Sequence, residues 1–76
     1  MINYYKLKVC YVKIDNDSKS FTQITNAEDA SSIGVYTNER AFTGMSKIIS
    51  DNTNQEWLVI SEEDFTFAKQ EVLTKL

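Results

Sequence analysis

The sequence predicts an α+β fold in which a mixed four-stranded sheet carries two helices on one face, in two layers. The first fifteen residues are rich in β-branched and aromatic side chains, which favour strands. Two later stretches repeat apolar residues at helical spacing, and the predicted order of elements is β-β-β-α-β-α. With 76 residues, 42% of them hydrophobic and 25% charged, we expect residues 1–76 to form a single compact domain.

The first predicted strand covers residues 1–15. Its odd positions form an apolar row at the period of two that a strand requires, namely Tyr5, Leu7, Val9 and Tyr11. Its even positions are apolar at both ends and basic at Lys6 and Lys8. We expect the odd face to build the core and the even face to be left uncovered by the helices.

A turn and a second strand follow. Residues 15–18 are turn formers whose side chains can bond their own backbone. The second strand, at 20–25, is predicted to pair antiparallel with the first. Phe21 and Ile24 differ in parity, which we interpret as a bulge or a short strand.

A polar segment at 26–32, predicted as a loop or a single helical turn, and a third strand at 33–37 lead to the first helix. Asn38 suits its N-cap, because the side-chain oxygen can accept a backbone N–H at the helix start. The apolar residues of this helix fall within about a third of its circumference. They are Ala41, Phe42, Met45, Ile48 and Ile49.

The chain is predicted to return at 51–54 and to form an interior fourth strand at 55–60, which has apolar residues on both faces. The third strand, first helix and fourth strand would form a βαβ unit with parallel strands, and Trp57 would anchor the core. Ser61 suits the N-cap of a final helix that runs to about Lys75. Its predicted core stripe is Phe65, Ala68, Val72, Leu73 and Leu76.

The chain lacks the residues of common catalytic and metal sites. It has no His and a single Cys, and its two Gly stand apart, so it has no zinc signature and no phosphate-binding Gly-rich loop. Cys10 lies among apolar residues, where a thiol usually packs as a small hydrophobe. We therefore expect no enzyme activity, no catalytic residue, no metal and no cofactor.

The charge of the chain limits its partners. A net charge of −3 and a pI near 4.7 argue against direct binding to nucleic acid or to anionic membranes. The longest apolar run has four residues, too few for a membrane span, and the N-terminus lacks the pattern of a signal peptide. We expect a cytoplasmic protein.

An acidic tract runs from Asp51 to Asp64 without Lys or Arg. Its members are Asp51, Glu56, Glu62, Glu63 and Asp64. Such a tract could imitate phosphate charges and occupy the basic groove of a nucleic-acid-binding protein. The alternative is that the last three residues only balance the dipole of the final helix.

Phe67 lies about 180° from the predicted core stripe of the final helix, among polar neighbours. An aromatic residue on a polar face is typical of interface anchors, although a single exposed apolar residue can also be without function. A second contact patch would consist of Tyr4, Tyr36, Lys6 and Lys8, if the two Tyr share the outer sheet face with the two Lys. Alternatively, the Lys stems only cover that face.

The residues Gly34–Ala41 resemble a strand-to-capped-helix junction of small bacterial and phage proteins. In size and acidity the chain resembles the small proteins that phages encode to inhibit host machinery, anti-CRISPR proteins among them. The resemblance implies a protein partner, such as a basic nucleic-acid-binding host protein. We predict a protein-binding module, phage or mobile-element encoded, that inhibits or regulates a larger host protein by occupying its surface. The alternative is a structural homo-oligomer, a homodimer for example, paired through the first strand or the Phe67 face.

Overall fold

A computed structural model of the chain describes residues 1–51 and 56–76. Within these residues the strands are β1 (Ile2–Leu7), β2 (Cys10–Asp15), β3 (Ser20–Asn26), β4 (Ser31–Tyr36) and β5 (Leu58–Val59), and the helices are α1 (Glu39–Asp51) and α2 (Glu62–Lys75). The α+β class is confirmed, as is the predicted succession of strands and helices, with one additional strand at the start. The return predicted at 52–54 and the start of a strand predicted at Gln55 lie outside the described residues.

The additional strand arises because residues 1–15 form a hairpin and not one strand. β1 pairs antiparallel with β2, with Leu7 opposite Cys10, so Lys8 and Val9 make the turn. Lys8 has a φ of 55°, in the left-handed region that costs a residue with a Cβ roughly 1–2 kcal/mol. Such turns usually contain Gly, Asn or Asp, and the pair Lys-Val contains none of them. The turn was therefore not predicted from the sequence.

The sheet is antiparallel throughout, so the predicted mixed sheet and βαβ unit are wrong. Its strand order is β4-β3-β2-β1-β5, and every pairing is antiparallel. β4 and β5, the strands on either side of α1 in the chain, lie at opposite edges. β5 is a two-residue edge strand and not the interior strand that its apolar composition suggested.

The first face of the sheet, here called the α1 face, carries Val12, Ile14 and Phe21, which are all buried. Ile14 lies directly opposite Phe21 in the register of β2 and β3, so their side chains point the same way. This cluster packs against half-buried apolar residues of α1 and its surroundings, namely Tyr5, Ala41, Phe42, Met45, Ile49 and Trp57.

The second face, the α2 face, carries Ile24, which forms a buried cluster with Phe65 and Val72 of α2. Ile24 lies opposite Tyr11, whose side chain points away from that of its neighbour Val12. The two helices therefore cover opposite faces, and the predicted two-layer arrangement with both helices on one face is wrong. The sheet is the middle of three layers.

This arrangement explains the parity of Phe21 and Ile24. The register of β3 with β4 runs without interruption from Phe21 opposite Tyr36 to Asn26 opposite Ser31. No bulge is present in this pairing of described strands. The two residues differ in parity because Phe21 is buried on the α1 face of β3 and Ile24 on its α2 face.

The predicted turn and helix starts are confirmed. The carboxylate of Asp15 accepts the backbone N–H groups of Asp17 and Ser18, at 3.0 and 3.2 Å. The Asn38 side chain accepts the N–H of Arg40 at 2.7 Å. Ser61 Oγ accepts the N–H of Asp64 at 3.1 Å, which caps α2.

The inner side of α2 is narrower than predicted. Phe65, Ala68 and Val72 are buried, but Leu73 and Leu76 are exposed. No helix among the described residues is long and apolar enough to cross a membrane.

Candidate partner-binding surface

The first turn of α2 presents three carboxylates to solvent. Glu62, Glu63 and Asp64 are all exposed and follow directly on the Ser61 cap. Negative charge at this position is stabilised by the positive end of the helix dipole. The cap fixes the backbone from which these side chains project, so the acidic first turn is held in one place on the surface.

Phe67 lies on the outer side of α2, as the sequence predicts, with 65% of its surface exposed. The inner side of the same helix is fixed in the core by the buried residues Phe65 and Ala68. Phe67 therefore cannot turn inwards without rotating the whole helix out of its packing.

A shallow groove of about 330 Å³ accompanies Phe67. Its lining residues, which we call the Phe67 surface, are Glu62, Glu63, Thr66, Phe67 and Gln70. They are spaced by three and four residues around one side of the helix. The predicted contact residues Phe67, Glu62 and Glu63 thus share one surface, and Asp64 lies in the same helical turn outside the groove lining. The sequence analysis did not count Thr66 and Gln70 among the contact residues. Helical spacing from Phe67 gives Gln70, and the same spacing from Glu62 and Glu63 gives Thr66.

Tyr4 does not lie on an uncovered face. Its ring packs against that of Phe65, with 5.5 Å between ring centroids, beneath α2. Partial burial, and then the negative charge of Glu62, raise the pKa of the Tyr4 hydroxyl above its usual value. Tyr4 therefore packs beneath the start of α2, and the expectation that the helices leave the even face of the first strand uncovered is wrong.

Tyr36 lies on the other side of the sheet. Its ring stacks on that of Phe21, with a centroid distance of 4.7 Å and an interplanar angle of 16°. Phe21 belongs to the α1 face, whereas Tyr4 belongs to the α2 face. The two tyrosines therefore cannot belong to one contact patch.

The two lysines of the predicted second patch are also separated. Lys6 is half-buried, and its Nζ lies 5.4 Å from the centroid of the Tyr11 ring, which is a cation–π geometry. Lys8 is exposed in the turn between β1 and β2. Of the two predicted surfaces, only the one on α2 is brought together by the fold.

The described residues contain few other side chains suited to catalysis or metal binding. Cys10 is a half-buried free thiol in β2. No group of three or more possible metal-ligating side chains occurs within residues 1–51 and 56–76.

The first strand offers no free edge along its middle. β1 pairs with β2 on one side, and on the other Tyr5 and Lys6 lie opposite Val59 and Leu58. A second copy therefore cannot add to β1 there without displacing β5.

Comparisons with protein-family models, with curated proteins and with solved structures gave no match to this chain. The support for a function therefore comes from the surface geometry.

Proposed function

We propose that the protein is a small acidic binding module, phage or mobile-element encoded, that inhibits or regulates a larger host protein in the host cytoplasm. It acts by occupying a surface of that protein and not by catalysis. The contact is made by the Phe67 surface together with Asp64.

The observation that supports this proposal is an exposed aromatic ring beside fixed negative charge. Phe67 is 65% exposed, and Glu62 and Glu63 line the same groove. Aromatic residues that enter a pocket of the partner supply a large share of binding energy at interfaces. Carboxylates around such an anchor increase the rate of encounter with a basic surface.

The partner that fits this surface has an apolar pocket flanked by Lys or Arg residues. A host protein with a basic nucleic-acid-binding groove has this chemistry, because phosphate-binding sites are built from Lys and Arg. Occupation of the groove by the acidic first turn would then compete with the nucleic acid.

The anchor is tested by Phe67→Ala, with Leu73→Ala as the matched control. Leu73 is a second exposed apolar residue on α2, 54% exposed, and it does not line the groove. Tagged wild-type protein captures its partner from host extract, the partner is purified, and affinities are measured by calorimetry. We expect Phe67→Ala to weaken binding about 30-fold or more, the effect of an interface hot spot, and Leu73→Ala to change it less than about threefold.

Equal affinity of wild type and Phe67→Ala would contradict the proposal, as would the absence of any protein that wild type retains more strongly than Phe67→Ala. Both substitutions are at exposed positions. The free energies of unfolding of the two variants and of wild type should therefore agree within about 0.5 kcal/mol.

The charges are tested by the triple variant Glu62→Gln, Glu63→Gln, Asp64→Asn. The control neutralises Glu28 and Asp29, two exposed acids in the turn before β4. We expect the triple variant to bind more slowly and to lose most of the salt dependence of the association rate, while the control retains it. An unchanged salt dependence in the triple variant would rule out charge mimicry and leave Phe67 as the anchor.

A further inference from the structure

The outer edge of β4 pairs with no other strand that the structure describes. β4 lies at the end of the sheet order and pairs with β3 alone among the residues that the structure describes. Its sequence, Ser31–Tyr36, contains no charged residue and no Pro. Its register with β3 has no bulge. Charged side chains, Pro and bulges are three of the devices by which proteins prevent a sheet edge from pairing, and β4 has none of these three.

The hydrogen-bond pattern shows which backbone groups point outwards. The N–H of Ala27 donates to the carbonyl of Ala30, so this pair is a hydrogen-bonded pair of the ladder. Such pairs alternate along antiparallel strands. Ser32, Gly34 and Tyr36 therefore bond to β3. By the same alternation, the N–H and C=O groups of Ser31, Ile33 and Val35 point away from the sheet.

We propose that this edge pairs with the same edge of a second copy of the chain. An antiparallel pairing of β4 with itself, centred on Ile33, is closed by a two-fold axis and places Ser31 of each copy opposite Val35 of the other. Each outward residue then exchanges backbone hydrogen bonds with its counterpart. The result is one continuous sheet through both copies.

Side chains around the edge favour a second copy as the occupant. Val35 is 67% exposed on the α2 face, and Leu76 is exposed beside Ser31, in a shallow pocket that the charged residues Glu28, Asp29 and Lys75 also line. Because Ser31 faces Val35 of the other copy, the pairing brings Leu76 of each copy towards an apolar partner. On the α1 face, Ser32 and Gly34 lie opposite each other and are small enough to leave the strands unhindered.

Charge also permits the contact. Two chains of net charge −3 repel one another, but the paired strands are neutral. In a continuous antiparallel sheet, directly opposed residues point to the same face, so both α2 helices lie on the same side. The dimer presents two Phe67 surfaces, and pairing through β4 does not require the Phe67 surface itself.

The proposal is tested by sedimentation velocity over a range of concentrations, with Val35→Lys and the control Val59→Lys. Val59 is 80% exposed on the opposite edge, in β5, so the two variants carry the same change in charge. We expect wild type and Val59→Lys to dimerise with equal affinity. Val35→Lys introduces one cation per copy at the proposed dimer interface and should raise the dimer dissociation constant at least about tenfold.

Amide hydrogen exchange of the wild-type protein supplies a measurement that does not depend on a variant. The amides of Ile33 and Val35 should become protected as concentration rises, whereas Ser32 and Gly34, bonded to β3, should be protected throughout. A monomer at all concentrations would overturn the proposal, as would a dimer that Val59→Lys weakens and Val35→Lys does not. Protection of Ile33 and Val35 only after addition of a different protein would likewise overturn it.

Discussion

Placement of the two helices on opposite faces of the sheet predicts which core residues are energetically coupled. Ile14 and Ile24 are both buried, but Ile14 belongs to the α1 face and Ile24 to the α2 face. Val72 of α2 packs in the cluster of Ile24. The same substitution, Ile to Val, at these two positions therefore gives a matched pair of double-mutant cycles with Val72→Ala.

The magnitudes follow from the groups removed. Each Ile→Val change removes one buried methyl group and should cost about 0.5–1.5 kcal/mol. Val72 is fully buried, and its truncation removes two methyl groups and leaves a cavity, which should cost about 2–3 kcal/mol. A chain of 76 residues typically unfolds with about 4–11 kcal/mol, so a combined loss of about 2.5–4.5 kcal/mol leaves the double variants folded at neutral pH if the wild-type free energy of unfolding is above about 5 kcal/mol.

The assay is urea unfolding of wild type and of each single and double variant, monitored by Trp57 fluorescence and by circular dichroism. We expect Ile14→Val and Val72→Ala to add within about 0.3–0.5 kcal/mol, because the sheet separates them. Ile24→Val and Val72→Ala share one cavity and should deviate from additivity by about 0.5 kcal/mol or more. Equal coupling in the two cycles, or stronger coupling for Ile14, would refute the three-layer arrangement.

Three further substitutions test local features. Gly44 lies in α1, and a methyl group added there would meet nothing within 4 Å. Gly44→Ala should therefore raise the free energy of unfolding in urea by about 1 kcal/mol, and a loss of stability would contradict this. A Cβ at Gly34 would meet the Tyr36 ring at 2.9 Å, so Gly34→Ala should displace the ring. We expect this substitution to lower the free energy of unfolding by about 1 kcal/mol, and the loss should vanish when Tyr36 is also replaced by Ala. The backbone N–H of Ser18 lowers the pKa of Asp15, which means that the carboxylate contributes stability above pH about 4 that is lost as the pH falls through the folded-state pKa. Asp15→Asn should therefore be less stable than wild type near pH 7, and the difference should shrink as the pH falls below about 4. A constant difference between the two would refute this assignment.

The features that the sequence predicted correctly are those decided by a few adjacent residues. Asn38 and Ser61 cap their helices because a short polar side chain there reaches backbone N–H groups of the next turn. Asp15 forms its turn for the same local reason. Phe67 is exposed because the buried side of α2 leaves no room for it.

The features that the sequence did not predict depend on contacts between residues far apart in the chain. Lys8 adopts a left-handed conformation because the pairing of β1 with β2 requires a turn there. Neither Lys8 nor Val9 is a residue type that favours such a turn. The parity of Phe21 and Ile24 did carry the signal of a sheet covered on both faces. The interpretation as a bulge or a short strand applies to a sheet with one covered face, whereas both faces of β3 are covered here. Leu73 appeared to belong to the core because periodicity gives the direction of a side chain and not the width of the surface that covers it.

The three-layer arrangement also explains why the two proposed surfaces can work independently. α2 packs against the sheet with Phe65, Ala68 and Val72, so its opposite side, which carries Phe67, points away from the plane of the sheet. The β4 edge lies within that plane, and its outward groups at Ile33 and Val35 are directed along it. Contacts perpendicular to the sheet and contacts within its plane do not compete for the same space. A dimer through β4 would therefore keep both Phe67 surfaces accessible on one side, where two sites of a partner, or two partner molecules, could be bound together.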